Sequence, residues 1–214
     1  MNQPDTKQRI LDSAERLFAD HGFEATSLRA IIADAKVNLA AIHYHFKSKE
    51  ALLDAVIVRR LAPINKERLE MLDTCEQDGR PSLESVLEAF LAPPFWFISR
   101  NSEAAQTFSH LMGRILSEGR SAFPELMRKH FAEVVERFHR AFQMAAPELP
   151  SEEVFWRMMF VGGALAHVLR SAKDIKVFSG GLCDPSDVEG TLRRLIDFSA
   201  AGFRAPVTAG VSHV

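Results

Sequence analysis

The sequence predicts an all-α protein of about nine helices, a small N-terminal three-helix head followed by a larger helical body. Three observations predict it. Apolar residues recur at intervals of three and four along most of the chain, as they do on helices that bury one face. No run alternates apolar and polar residues over the length of a strand. Gly, Pro, Ser, Asn and Asp fall at the ends of the periodic segments, where helices start and stop.

Residues 5–21 place Ile10, Leu11, Ala14, Leu17 and Phe18 on one face, Gly22 supplies the stop, and Asp5 with Gln8 suits a capping box. A short second helix fits 27–35, with Ser27 as N-cap and Leu28, Ile31, Ile32 and Ala35 turned inward. Lys36-Val37 is a tight connection to Asn38, which caps a third helix over 38–45. Ser48 opens a fourth helix that runs to about residue 73, with Pro63 expected to kink it where an N–H is missing. The stretch TCEQDGRPS, 74–82, reads as a polar loop.

From Ser82 a helix is expected to end at Pro93-Pro94, and another covers 101–118 before Gly119. The most regular helix, 123–145, carries Phe123, Leu126, Met127, Phe131, Val134, Val135, Phe138, Phe142 and Ala145. A mostly apolar helix follows Pro150 over 151–172. After Gly180-Gly181 a last helix spans about 185–203, with Pro185 in its first turn. The resulting division is a head, 1–50, a body, 51–204, and a tail, 205–214, small and polar enough to be disordered.

Composition narrows the class. With 47% apolar and 25% charged residues in 214, the chain can bury a full core. Sixteen Phe against one Tyr suggest a core or cavity walled by non-polar rings. The start, MNQPDTKQRI, lacks the apolar stretch of a signal peptide. Met158–Leu169, interrupted by His167, falls short of the roughly 20 residues that cross a bilayer. Cys75 and Cys183 lack CxxC spacing and read as reduced thiols. The expectation is a cytoplasmic protein with no membrane association. No GxSxG, P-loop, GxGxxG or HExxH motif is present, and His43 and His45 are too close in sequence to share a helix face as metal ligands do. Neither an enzyme nor a cofactor or metal site is expected.

The informative segment is 26–50, TSLRAIIADAKVNLAAIHYHFKSKE. Two short helices joined by a tight turn match a helix-turn-helix, whose second helix presents its N-terminal residues to base edges in the major groove. Leu39 and Ile42 can point inward while Asn38, Ala40, Ala41, His43 and Tyr44 lie outward. Small alanines allow close approach, and their methyls can touch thymine methyls. Ser27 and Arg29 open the preceding helix, whose N-terminal amides attract anions, and Tyr44, His45, Lys47 and Lys49 add phosphate donors. Residues 26–50 carry Arg29, Lys36, Lys47 and Lys49 against Asp34 and Glu50, a net of +2. Residues 61–214 carry 17 Lys/Arg against 20 Asp/Glu, a net of −3, so the positive charge lies at the proposed DNA face.

Ala25-Thr26-Ser27, Arg29, Ile31 or Ile32, Ala35, Val37, Tyr44-His45-Phe46, Ser48-Lys49-Glu50 and Leu52, after Phe18, Gly22 and Phe23, make the segment recognisable. Over about residues 8–56 it resembles the TetR family of bacterial repressors. The resemblance implies a homodimeric DNA-binding regulator in which Thr26 or Ser27, Tyr44 and Lys49 bind phosphates and 38–43 reads bases of a double-stranded operator. Two positions depart from the family pattern. Lys36 stands where the turn has glycine, so it is either not left-handed or strained, and His43 stands where many members have Tyr.

In the body, Ala146-Pro147-Glu148-Leu149-Pro150 leading to Phe155-Trp156-Arg157, together with Asn38–Ala41, resembles the PsrA-like branch. That implies an apolar effector such as a fatty acid or acyl derivative. Phe90, Trp96, Phe97, Phe108, Leu111, Met112, Phe138, Phe142 and Phe160 are the cavity-lining candidates, since ligand pockets are mostly apolar with few polar anchors. Arg100, His110, Arg114 and His167 are candidates for a polar head group. The last two long helices are expected to form the dimer seam, with Gly162, Gly163, Ala164 and Ala166 permitting close approach and Leu192, Leu195, Ile196 and Phe203 supplying apolar area. The alternative reading is a helical ligand-binding or interaction protein that does not bind DNA.

Overall fold

The computed structural model describes residues 5–77, 79–100, 102–117 and 123–207. The described residues form ten α-helices and no strand. They are α1 (Thr6–His21), α2 (Leu28–Ala35), α3 (Leu39–Phe46), α4 (Lys49–Glu76), α5 (Leu83–Arg100), α6 (Ser102–Ser117), α7 (Phe123–Ala145), α8 (Ser151–Arg170), α9 (Ala172–Phe178) and α10 (Val188–Arg204). The expected disordered tail lies outside the described residues from 208 onward.

The helices group into two compact units. The first comprises Met1–Ile64 with Arg100–Ala132, the second Asn65–Ser99 with Glu133–Val214. In the first, α1 packs against α2, α3 and α6, and Ile10, Ala14, Phe18, Ile31, Ile42, Leu52 and Ile57 are fully buried. Glu15, also buried, holds α4 to α1: Arg60 grips it through Nε at 2.9 Å and Nη2 at 2.8 Å, and Arg59 Nη2 pairs with the same carboxylate. On the far side of α4, Asp54 takes Lys129 Nζ at 2.8 Å and His130 Nε2 at 2.6 Å from the start of α7.

The second unit is built on aromatic rings. Phe90 of α5 meets Phe138 edge-on at 5.1 Å, Phe138 and Phe142 lie one turn apart on α7, and Phe142 stacks on Phe203 of α10 at 4.7 Å. The C-terminus of α10 is closed by a buried arginine. Arg157 Nη1 lies 2.9 Å from Gly202 O, which also accepts the Ala205 N–H, and 2.8 Å from both Phe203 O and Ala205 O at the end of the helix.

Several boundaries differ from expectation. The tenth helix is α9, seven residues that Ser171 (φ −98, ψ 14) separates from α8, too short to show a periodicity of its own. The last helix starts at Val188, not at Pro185, because Asp187 Oδ1 accepts the Gly190 N–H at 2.9 Å and is the better cap. Asp5 makes no capping bond, and Gln8 Oε1 accepts instead from Arg59 at 3.4 Å. The fourth helix continues to Glu76, through Pro63.

The largest correction is α5, which runs through Pro93-Pro94 to Arg100 where the sequence suggested a stop. A proline costs the carbonyl four residues earlier its helical donor. Pro94 thus releases the Phe90 carbonyl, and Arg68 of α4 supplies the missing donor, Nε to Phe90 O at 2.8 Å. Both prolines are buried, so their rings are anchored by packing.

Candidate nucleic-acid interface

Helices α2 and α3 and the residues between them form the site, and each end is set by an identifiable side chain. Ser27 is extended (φ −90, ψ 152) and its Oγ accepts the Ala30 N–H at 3.1 Å, which starts α2. Asn38 does the same for α3, Oδ1 accepting from Ala41 at 2.9 Å. Ser48 caps α4 through the Ala51 N–H at 3.1 Å. Three capped N-termini within 22 residues leave amides of the first turns pointing outward, the arrangement that attracts anions.

The turn between the helices is left-handed at Lys36 (φ 52, ψ 48). The Val37 N–H reaches back to Ile32 O at 3.2 Å, closing α2 with the reversed bond of a Schellman turn. A left-handed non-glycine residue costs about 1–2 kcal/mol. Arg9 of α1 offsets part of that, donating from Nη2 to Lys36 O at 2.6 Å and also to Ala35 O. Arg16 pairs with Asp34 of α2 at 2.5 Å. Hydrogen bonds from Ser13 and then from Arg16 hold the Asp34 carboxyl below its ordinary value.

On α3 the buried residues are Ile42 and Phe46. The outward side carries Ala40, His43 and Tyr44, the last 83% exposed, with Ala41 and His45 at the flanks and Asn38 exposed at the start. Leu39, expected to point inward, is 52% exposed, because its place in the first turn precedes the point where α3 meets the core. It joins the outward face and is the residue that apolar patterning misassigned. Tyr44 rests edge-on against the His45 ring at 5.0 Å.

The basic residues are placed differently from one another. Lys47 has φ 61 and ψ −42, with the Ser48 N–H bonded to Phe46 O at 2.7 Å, a strained γ-turn that leaves its side chain exposed. Lys49 is held: its Nζ lies 4.3 Å over the Phe23 ring and donates to Glu24 O at 3.3 Å. Arg29 and Ser27 are exposed at the start of α2. Thr26 stands apart. It is 3% exposed, and its hydroxyl lies 2.7 Å from Gly22 O and 3.0 Å from Leu17 O inside the unit.

The pocket candidates fall into both units. Phe108, Leu111 and Met112 lie on α6 in the first. In the second, Phe90, Phe138 and Phe142 form the aromatic cluster, Trp96 packs against it and Phe97 is half-buried. Phe160 does not join them; it is 66% exposed on α8, stacked on Trp156 at 5.9 Å. His110, Arg114 and His167 are exposed, and the Arg100 side chain lies outside the described residues. Among the seam candidates, Leu192, Leu195 and Phe203 are used within the core of their own unit, while Gly163 and Ala166 face outward. No helix among the described residues is long and apolar enough to cross a membrane.

Residues 10–56 match the bacterial regulatory proteins of the tetR family, and residues 88–202, more than half the chain, match the tetracyclin repressor-like C-terminal domain. The chain belongs to the TetR family. Among its TetR relatives is the HTH-type nicotine-responsive transcriptional repressor HdnoR of Paenarthrobacter nicotinovorans, 33% identical over 88 residues, which are 41% of this chain and 45% of that protein. The A-factor receptor protein of Streptomyces griseus is 29% identical over 106 residues, 50% of this chain and 34% of the receptor. The chain thus spans less than half the length of these curated relatives. Two solved structures share the TetR fold. The fatty acid degradation regulator FadR from Bacillus halodurans superposes with a TM-score of 0.66 at 15% identity, covering 96% of this chain and 100% of that one. Salmonella enterica GusR gives a TM-score of 0.60 at 20% identity, covering 92% and 98%.

Proposed function

We propose that this TetR-family chain is a sequence-specific transcriptional regulator, a repressor that leaves its operator when a small apolar effector binds. The observation that carries the reading is the rigid α2–turn–α3 unit, whose outward face holds Leu39, Ala40, His43 and Tyr44 between three capped helix N-termini. Side chains on that face meet base edges, while Ser27, Arg29, Tyr44, Lys47 and Lys49 and the first-turn amides meet phosphates. Thr26, being internal, positions Ser27 instead of touching the backbone itself. Residues 1–50 serve as the DNA-binding head and 51–204 as the effector-binding and dimerising body.

The regulator works as a cytoplasmic homodimer, so that two heads read a two-fold site. Exposed Phe155, Trp156, Met159 and Phe160 on α8 and Phe198 on α10 supply the apolar area for the partner. The effector belongs to the fatty acid or acyl class, as in the PsrA-like branch. The aromatic cluster of the second unit suits it, and FadR from Bacillus halodurans, a regulator of fatty acid degradation, shares the fold. Effector and operator affinities are then reciprocally coupled.

A gel shift on the gene's own upstream DNA, with and without a long-chain acyl compound, tests this. A salt-sensitive shift released by the compound is the expected result. A shift indifferent to the compound would discard the acyl class, and absence of any site in a genome-wide selection would discard DNA binding.

A further inference from the structure

Among the described residues, Arg68 is a buried cation without an anion. It is 5% exposed on α4, and its hydrogen bonds to described residues go to neutral groups: Nε to Phe90 O at 2.8 Å and Nη1 to Asn65 Oδ1 at 3.2 Å. Its guanidinium carbon lies 4.7 Å over the Phe90 ring. Among the described residues no carboxylate pairs with it, whereas buried Arg157 and half-buried Arg59 and Arg60 each have a glutamate. Closing the carbonyl released by Pro94 needs one neutral donor, which a glutamine or tryptophan could provide. It does not need a charge. Buried charges are ordinarily paired, because an uncompensated ion costs several kcal/mol on leaving water.

The surroundings indicate what kind of anion belongs there. The Phe90 ring under the guanidinium is part-exposed, and behind it Phe138, Phe142 and Phe203 form a fully packed apolar core. A carboxylate carried on a hydrocarbon tail is the anion whose chemistry suits a cation in such apolar surroundings. Arg offers its remaining N–H groups as a fork for the two carboxylate oxygens. We propose that Arg68 anchors the head group of the effector and that the effector is a free carboxylic acid with an apolar chain. This rests on the acyl-effector reading above and sharpens it: the charged end, and not chain length alone, is recognised. Burial pushes the Arg68 guanidinium down to about 10, which still leaves it cationic at neutral pH and favours an arriving anion.

The test is calorimetric titration of the full-length protein with dodecanoate and with dodecanol, which share a tail and differ in charge. The acid is expected to bind roughly 10- to 100-fold tighter, the range of a charge-assisted hydrogen-bond pair. Arg68→Gln, which keeps a donor for the Phe90 carbonyl, is expected to abolish that preference while leaving dodecanol binding unchanged. Equal binding of acid and alcohol to the wild type overturns the anchor but keeps the apolar effector. An acid preference that survives in Arg68→Gln also overturns it. Binding of neither compound by protein that binds its operator overturns the acyl reading and the anchor with it. Should Arg68→Gln fail to fold, the Arg68 Nε–H resonance of the wild type decides, since dodecanoate and not dodecanol must shift it.

Discussion

Arg9 of α1 donates to the carbonyl of Lys36, the left-handed residue on which the α2–α3 turn pivots, at 2.6 Å. One side chain from outside the motif thus ties down the end of α2 and the turn that leads to α3. The strain at Lys36 and the bond from Arg9 act in opposite senses, so they can be separated by mutation. Lys36→Gly removes the penalty on a positive φ and is expected to stabilise the chain by about 0.5–1 kcal/mol in urea unfolding. Arg9→Ala removes the donor from a part-buried and an exposed carbonyl and is expected to cost about 0.5–1.5 kcal/mol. A Lys36→Gly variant no more stable than wild type would contradict the strain.

Lys47 and Lys49 offer a second separation. Both are proposed to meet phosphates, but Lys47 is exposed while Lys49 is docked over Phe23. Alanine at either position should reduce the salt dependence of operator binding by about one counterion. Lys49→Ala alone should also lower stability, by about 0.5–1 kcal/mol for the lost cation–π contact. Titrations at four salt concentrations, paired with unfolding curves, read both effects. Unchanged salt slopes in both variants would remove these lysines from the interface.

Glu15 is buried between Arg59 and Arg60, with its side chain 3% exposed. Neutralising it leaves Arg60 facing Arg59 without its carboxylate at the α1–α4 contact, while Arg59 keeps Asp12 through Nη1 at 2.6 Å. Because both arginines are part-exposed, Glu15→Gln is expected to destabilise by about 1–3 kcal/mol, the cost of removing a charged hydrogen-bond acceptor. A loss below 1 kcal/mol in a denaturant titration would mean the cluster is effectively solvated.

The helices were legible where the apolar period was unbroken, as in α1 and α7, and where a capping residue marked the start, as at Ser27 and Asn38. Pro93-Pro94 misled because the rescuing donor, Arg68, lies 22 residues before the Phe90 carbonyl it serves, beyond the reach of any local rule. Leu39 misled for a different reason: apolar character does not show on which side of a helix the core begins. Leu192, Leu195 and Phe203 show the same limit in reverse, since an apolar residue can face its own core or a partner with identical sequence signal. Arg68 and Arg157 gave no signal, because a lone arginine in an amphipathic helix ordinarily lies at the surface.

Acid should weaken the first unit in a defined window. The Asp54 carboxyl is raised by its burial but lowered more by the hydrogen bonds and charges of Lys129 and His130, and lies net below its ordinary 3.8. Asp34 is depressed likewise by Ser13 and Arg16. Because both folded values lie below the unfolded ones, their contribution is complete above about pH 4 to 5 and is lost as pH falls through the folded values. Urea midpoints measured from pH 7 down to pH 3 should decline in that window, and Asp54→Asn should flatten the decline. An Asp54→Asn variant with the wild-type pH profile would show that the Lys129–His130 contact carries no linkage.

The exposed face of α8, proposed above as the dimer seam, admits a test in which stability and assembly move in opposite directions. Gly163 lies on the outward face with Phe160 and Ala166, and a Cβ built on it meets no atom within 4 Å of its own chain. Nothing inside the protomer requires glycine there, and a glycine within a helix costs about 0.5–1 kcal/mol relative to alanine. Gly163→Leu should therefore leave the protomer as stable as before, or slightly more so. If α8 approaches its two-fold mate closely at this point, the added side chain must push the two apart. Sedimentation should then show dimer dissociation raised at least roughly 30-fold, as for a central interface residue, with operator affinity falling in parallel. Phe160→Lys should do the same by placing a charge in the apolar seam. A Gly163→Leu protein that remains dimeric at micromolar concentration would place the seam elsewhere, and the exposed α8 face would need another occupant.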